Sequence, residues 1–170
     1  RASQQGLYAK TLDGDAFSDA MREQVLETIK TDLGQIDLVV YSLASPVRQH
    51  PKTDVLHRSS IKPLGEVLDI KTAHVEKGEV SNVALEPATD QEIADTVTVM
   101  GGEDWQYWID ALLAADLLAP KAKTVAYTYI GSELTWPIYW EGTLGKAKAD
   151  LDRASGEIQQ KLQSIGGDAR

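Results

Sequence analysis

Apolar and polar positions along the chain alternate between two periods, and the changes of period divide it into strands and helices. Leu7 to Leu12 predicts a short strand, Asp13-Gly14-Asp15 a turn, and Ser18 the cap of a following helix. Met21, Val25, Leu26, Ile29 and Leu33 keep helical spacing, and Gly34 closes the run. Ile36 to Leu43, IDLVVYSL, is nearly continuously apolar, which predicts a parallel strand buried on both faces. Strand, helix and strand at these lengths make a βαβ unit. Ligands of such sheets bind beyond the carboxyl ends of the strands, here Asp15-Ala16 and Leu43-Ala44-Ser45.

The pattern loosens over residues 46–88, which carry Pro46, Pro51, Pro63 and Pro87 and show little periodicity beyond a possible short strand at Glu66 to Ile70. A long irregular stretch inside one domain is usually functional, so this segment reads as an insertion on the active-site side. Thr89 and Glu92 then form a capping box, and the helix they start runs to Gly101-Gly102. In the next helix Trp105, Trp108, Ile109, Leu112 and Leu113 share a face, which predicts packing. TVAYTYI, 124 to 130, predicts another buried strand with Tyr129 at its carboxyl end. The last helix places Ala147, Leu151, Ala154, Ile158 and Leu162 on one side and stops at Gly166-Gly167.

Composition narrows the classes. The chain has 170 residues, 42% of them apolar, enough for one domain with a core. A formal charge of −9 argues against a nucleic-acid partner, which would require a basic face. Zero cysteines exclude disulfide scaffolds, thiolate metal sites and cysteine nucleophiles. His50, His57 and His74 have no metal-ligand spacing, so no metal is expected. With no long apolar run and no signal peptide in view, the reading is a cytoplasmic protein without a membrane span. The chain opens on Arg1 rather than Met, which suggests a fragment of a longer polypeptide.

Candidate chemistry concentrates in residues 125–153, where Tyr127, Tyr129, Trp136, Tyr139, Trp140, Lys146 and Lys148 lie close together. A nearby ammonium favours the phenolate and makes a tyrosine a better proton donor, so Tyr with Lys is a proton-delivering pair. Tyr139 and Lys148 are separated by eight residues. In an unbroken helix, nine steps of about 100° would put them on opposite faces, and Lys146 would share the face of Tyr139 instead. Pro137, Gly142 and Gly145 make such a helix from residue 139 unfavourable, which leaves Lys148 available.

The Tyr-x8-Lys spacing, together with YSLASP at 41–46, HPKT at 50–53, LEPAT at 85–89, VMGGEDWQ at 99–106 and AYTYIG at 126–131, resembles the NADH-dependent trans-2-enoyl-CoA reductases and FabV-class enoyl-acyl-carrier-protein reductases. The resemblance covers essentially the whole chain. It implies a Rossmann-like, doubly wound parallel sheet of the short-chain dehydrogenase type, one catalytic-domain fragment over 1–170, here lacking its first two strands and its C-terminal part. It also implies reduction of enoyl-CoA or enoyl-acyl-carrier-protein with hydride from NADH, by an enzyme that is a monomer when complete. The roles implied are catalysis by Tyr139 as proton donor and by Lys148, which lowers the tyrosine pKa, substrate binding by Tyr129, and cofactor binding by Asp15, Ala16, Leu43, Ala44 and again Lys148. Two other readings are a short-chain alcohol or ketone dehydrogenase and a dinucleotide-binding module without turnover. Because the strand at 7–12 would have no neighbour, residues 1–170 alone are expected neither to fold stably nor to bind NADH.

Overall fold

The computed structural model describes residues 2–43, 45–129 and 131–170. Helix α1 (Asp19–Asp32) begins where the Ser18 hydroxyl accepts the backbone N–H of Met21 at 3.2 Å, a cap of the kind that contributes about 1 kcal/mol. It ends as expected at Gly34, whose φ of 78° lets its N–H turn back to the Ile29 carbonyl. Strand β1 (Ile36–Tyr41) follows. Next come two hairpins, β2 (Val47–Gln49) with β3 (Leu56–Arg58), and β4 (Leu68–His74) with β5 (Glu79–Leu85). Residues 46–88 are therefore more ordered than their sequence suggests.

Helix α2 (Asp90–Met100) carries the complete Thr89/Glu92 capping box and stops at Gly101. Helix α3 (Glu103–Ala114) leads into strand β6 (Leu118–Ala126), and helix α4 (Thr143–Leu162) leads into the two-residue strand β7 (Asp168–Ala169). The main sheet has the order β1-β6-β7, with both neighbouring pairs parallel. The fold is thus mixed α/β with a parallel sheet.

Its core lies between the sheet, α3 and α4, where Trp105, Ile109, Leu112, Ala154, Ile158 and Leu162 are at most 2% exposed. The Trp105 indole N–H donates to the Thr124 hydroxyl at 2.9 Å, and that hydroxyl donates to the Val39 carbonyl at 3.1 Å. One buried chain of hydrogen bonds thereby joins α3 to β6 and β1. Trp105 packs as expected. Trp108 lines the apolar cleft beside β1 instead.

Three predicted strands are corrected. Residues 7–12 form none: among the described residues no strand lies beside them to accept their backbone groups, and their side-chain ties are the Tyr8 hydroxyl and Lys10 ammonium on Asp32, at 2.5 and 2.9 Å. β1 ends at Tyr41 rather than Leu43 and is not buried on both faces. Among the described residues only one of its edges is paired, and Leu38 and Val40 remain 56% and 46% exposed. β6 starts earlier than predicted and ends at Ala126, so Tyr129 lies beyond the strand. Its first half was obscured by Pro120, which has no N–H to donate, and by Lys121 at φ 66°, where the register jumps from Leu118 opposite Ile36 to Lys123 opposite Leu38.

Candidate active site

Beyond the carboxyl ends of β1 and β6 lies a cavity of about 330 Å³, lined by Tyr41, Leu43, Tyr129, Tyr139, Lys148 and the apolar group Val99, Met100, Leu144 and Leu151. The Tyr129 and Tyr139 rings meet edge to face, with centroids 5.9 Å apart and planes at 79°. This is the favoured arrangement of two aromatic quadrupoles, and it limits how either ring can turn. The Lys148 ammonium donates to the Thr128 hydroxyl at 2.7 Å. Burial pushes the Lys148 ammonium below the ordinary lysine value, while the Asp152 carboxylate pulls it back up.

Helix α4 begins at Thr143, so Tyr139 precedes it, in a run of turns where its N–H bonds the Thr135 carbonyl at 3.0 Å. Two glycines allow the run to fold back on the helix. A side chain at Gly142 would strike the carbonyls of Ile138 and Lys62, and one at Gly145 would strike the Trp140 carbonyl. That fold-back brings Tyr139 and Lys148 to one cavity. Lys146 lines a different one, with Leu64, Trp140, Glu141, Ala149 and Asp152.

A second cavity, of about 400 Å³, separates the turn Gly14–Phe17 from the exit of β1. Asp15, Ala16 and Leu43 line it together with Ser45, Val47 and Gln49, so the sequence-predicted residues on the two loops do converge. Asp15 also steadies its own turn, its carboxylate accepting the Phe17 N–H at 3.0 Å. Leu43 belongs to both cavities. Ala44 lies outside the described residues.

Thr128 and the pocket walls Val99 and Met100 were missed from sequence, although all three fall inside the quoted words AYTYIG and VMGGEDWQ. His50 and His57 come within 6.1 Å of each other, each facing a carboxylate, Glu103 and Asp95 respectively. Among the described residues no group of three or more His, Asp or Glu side chains could hold a metal ion.

Parallel strands flanked by helices, with cavities beyond their carboxyl ends, are the layout of the nucleotide-binding α/β class. The family model for the trans-2-enoyl-CoA reductase catalytic region matches residues 1–170, and the chain belongs to that family. It is 57% identical over 168 residues to enoyl-[acyl-carrier-protein] reductase [NADH] 1 of Photobacterium profundum and equally to the corresponding NADH enzyme of Chromohalobacter salexigens, covering 99% of this chain and 42% of each relative. The crystal structure of Treponema denticola trans-2-enoyl-CoA reductase in complex with NAD superposes with a TM-score of 0.91 at 45% identity, covering 97% of this chain and 41% of that one. A likeness in fold alone extends to an Anaplasma phagocytophilum enoyl reductase, with a TM-score of 0.57 at 14% identity. The chain thus spans less than half the length of the relatives it matches.

Proposed function

We propose that the protein to which residues 1–170 belong is an oxidoreductase of fatty acid synthesis that reduces the trans-2 double bond of enoyl thioesters, carried on coenzyme A or on acyl carrier protein, with NADH. The observation that carries this reading is the joining at Leu43 of the cavity that holds Asp15 and Ala16 to the cavity that holds Tyr129, Tyr139 and Lys148. A dinucleotide bound there would be held by residues of both cavities. The residues present fit its two ends: Asp15 and the small Ala16 at the adenine side, and the Lys148 ammonium, steered by Thr128, at the nicotinamide ribose.

NADH, when bound, supplies the hydride taken up by the β carbon of the substrate. Charge develops on the thioester oxygen, and the Tyr139 hydroxyl donates a hydrogen bond and then a proton to the substrate. Loss of one such donor costs on the order of 2.7–4 kcal/mol of transition-state stabilisation. Tyr129 holds the substrate carbonyl, and its edge contact keeps the Tyr139 ring aimed. Val99, Met100, Leu144 and Leu151 supply an apolar wall for the acyl chain.

A cytoplasmic, monomeric enzyme is part of the same proposal. No helix among the described residues is long and apolar enough to cross a membrane. The test is NADH consumption by the complete polypeptide with crotonyl-CoA and crotonyl-acyl-carrier-protein. Consumption that depends on the enoyl thioester supports the reading, and consumption only with ketones would replace it with a short-chain alcohol dehydrogenase. No consumption with either, despite saturable NADH binding, would leave a dinucleotide-binding module.

A further inference from the structure

Beneath the second cavity lies a buried cluster of charges that the reduction itself does not use. Asp104, in the first turn of α3, is 2% exposed. One carboxylate oxygen accepts the Arg22 guanidinium at 3.0 Å, with a second guanidinium, from Arg48, at 3.9 Å. The other oxygen accepts the Tyr41 hydroxyl at 3.2 Å. Arg48, also buried, donates to the Thr98 carbonyl at 2.6 Å and to Glu103 at 2.9 Å, and its guanidinium lies 5.5 Å from the centre of the Phe17 ring. Arg22 is further paired with Asp19 and lies 5.3 Å from the centre of the Trp108 ring. Burial pushes the Asp104 carboxyl above its ordinary value, against the pull of Arg48 and Arg22.

Such a cluster is weak evidence for stability, because apolar side chains of equal volume often stabilise as well or better. What stands out is where its members sit. Tyr41 is the last residue of β1, two before Leu43; Arg48 follows Val47; Phe17 belongs to the turn of Asp15 and Ala16; Arg22 lies on α1 just after that turn. Both walls of the cavity are therefore tied to one carboxylate. Phe17, Leu43 and Val47 all line that cavity.

Resting on the reading of the cavity as a dinucleotide site, we infer that Asp104 is a positioning residue for the cofactor: through Tyr41, Arg22 and Arg48 it fixes the separation between the Asp15–Phe17 turn and the wall formed by Leu43 and Val47. It touches neither cofactor nor substrate. Loosening the walls should weaken NADH binding beyond what any loss of stability explains.

The experiment compares Asp104→Asn and Tyr41→Phe in the complete enzyme, reading the NADH dissociation constant by nucleotide fluorescence and the thermal midpoint. Displacing a binding wall by a fraction of an ångström is expected to raise the NADH dissociation constant about tenfold in Asp104→Asn and about threefold in Tyr41→Phe. Tyr41→Phe keeps the ring stacked on Trp105, at 6.2 Å between centroids, and removes only the hydroxyl. It therefore decides the matter even if Asp104→Asn fails to fold. A lowered midpoint with unchanged NADH affinity in Tyr41→Phe would show a purely structural cluster and overturn the inference. If the unsubstituted enzyme does not bind NADH, the reading of the cavity falls first.

Discussion

The Lys148 ammonium and the Thr128 hydroxyl are joined at 2.7 Å across the gap between α4 and the segment that leaves β6. A flexible four-carbon side chain is thereby held in one direction, into the cavity of Tyr129 and Tyr139. Thr128→Val removes the acceptor and keeps the shape. It is expected to lower kcat/KM for crotonyl-CoA by about tenfold, a loss typical of one hydrogen bond to a charged group, and Thr128→Ser should recover most of it. Steady-state kinetics of the two variants check this.

The two lysines of α4 should separate cleanly. Lys148→Ala is expected to weaken both NADH binding and turnover, whereas Lys146→Ala, whose side chain lines the cavity beside Trp140, should behave as a surface change within about 0.5 kcal/mol in stability and with near-normal kinetics. The reverse pattern would mean that Lys146 is the working lysine.

In the proposed mechanism the Lys148 ammonium is the active form. Burial lowers its pKa from the ordinary 10.5, so activity should fall as pH rises through a value below that. Asp152 opposes the burial effect by attracting the ammonium. Asp152→Asn should therefore move the alkaline limb of the kcat/KM profile to still lower pH. An upward shift would contradict the assignment.

Much of the architecture could be read from local chemistry. Ser18, the Thr89/Glu92 box, Gly34 and the 147–162 stripe each act within a few residues, and each helix formed where expected. What failed depended on neighbours distant in sequence. Residues 7–12 carry strand-like composition, but a strand exists only if another lies alongside. Of the β4–β5 hairpin only the start of β4 showed, in the possible strand at Glu66 to Ile70, because its two strands face water over most of their length and Lys71, Asn82 and Ser81 dilute the apolar signal. The site showed the same division. Tyr139 and Lys148 stood out as residue types, but Thr128 as a partner, and Asp104 gathering Arg22, Arg48 and Tyr41 from three other elements, could emerge only from tertiary structure.

The bare edge of β1 gives a prediction about the isolated chain. With Leu38 and Val40 largely exposed and one row of backbone groups unpaired among the described residues, residues 1–170 by themselves should neither unfold cooperatively nor bind NADH saturably. Protein fluorescence during urea and NADH titrations tests both halves. A sharp transition together with micromolar binding would refute it.

The central claim is that the Tyr139 hydroxyl serves the transition state rather than cofactor binding, and Tyr139→Phe in the complete enzyme tests it most directly. The substitution keeps the ring against Tyr129 and removes one oxygen. Single-turnover reduction of crotonyl-CoA should slow by about 10²–10³-fold, while the NADH dissociation constant, measured on the same preparation, stays within about twofold. A rate within a few-fold of the unsubstituted enzyme, or a loss explained entirely by weakened NADH binding, would contradict the account.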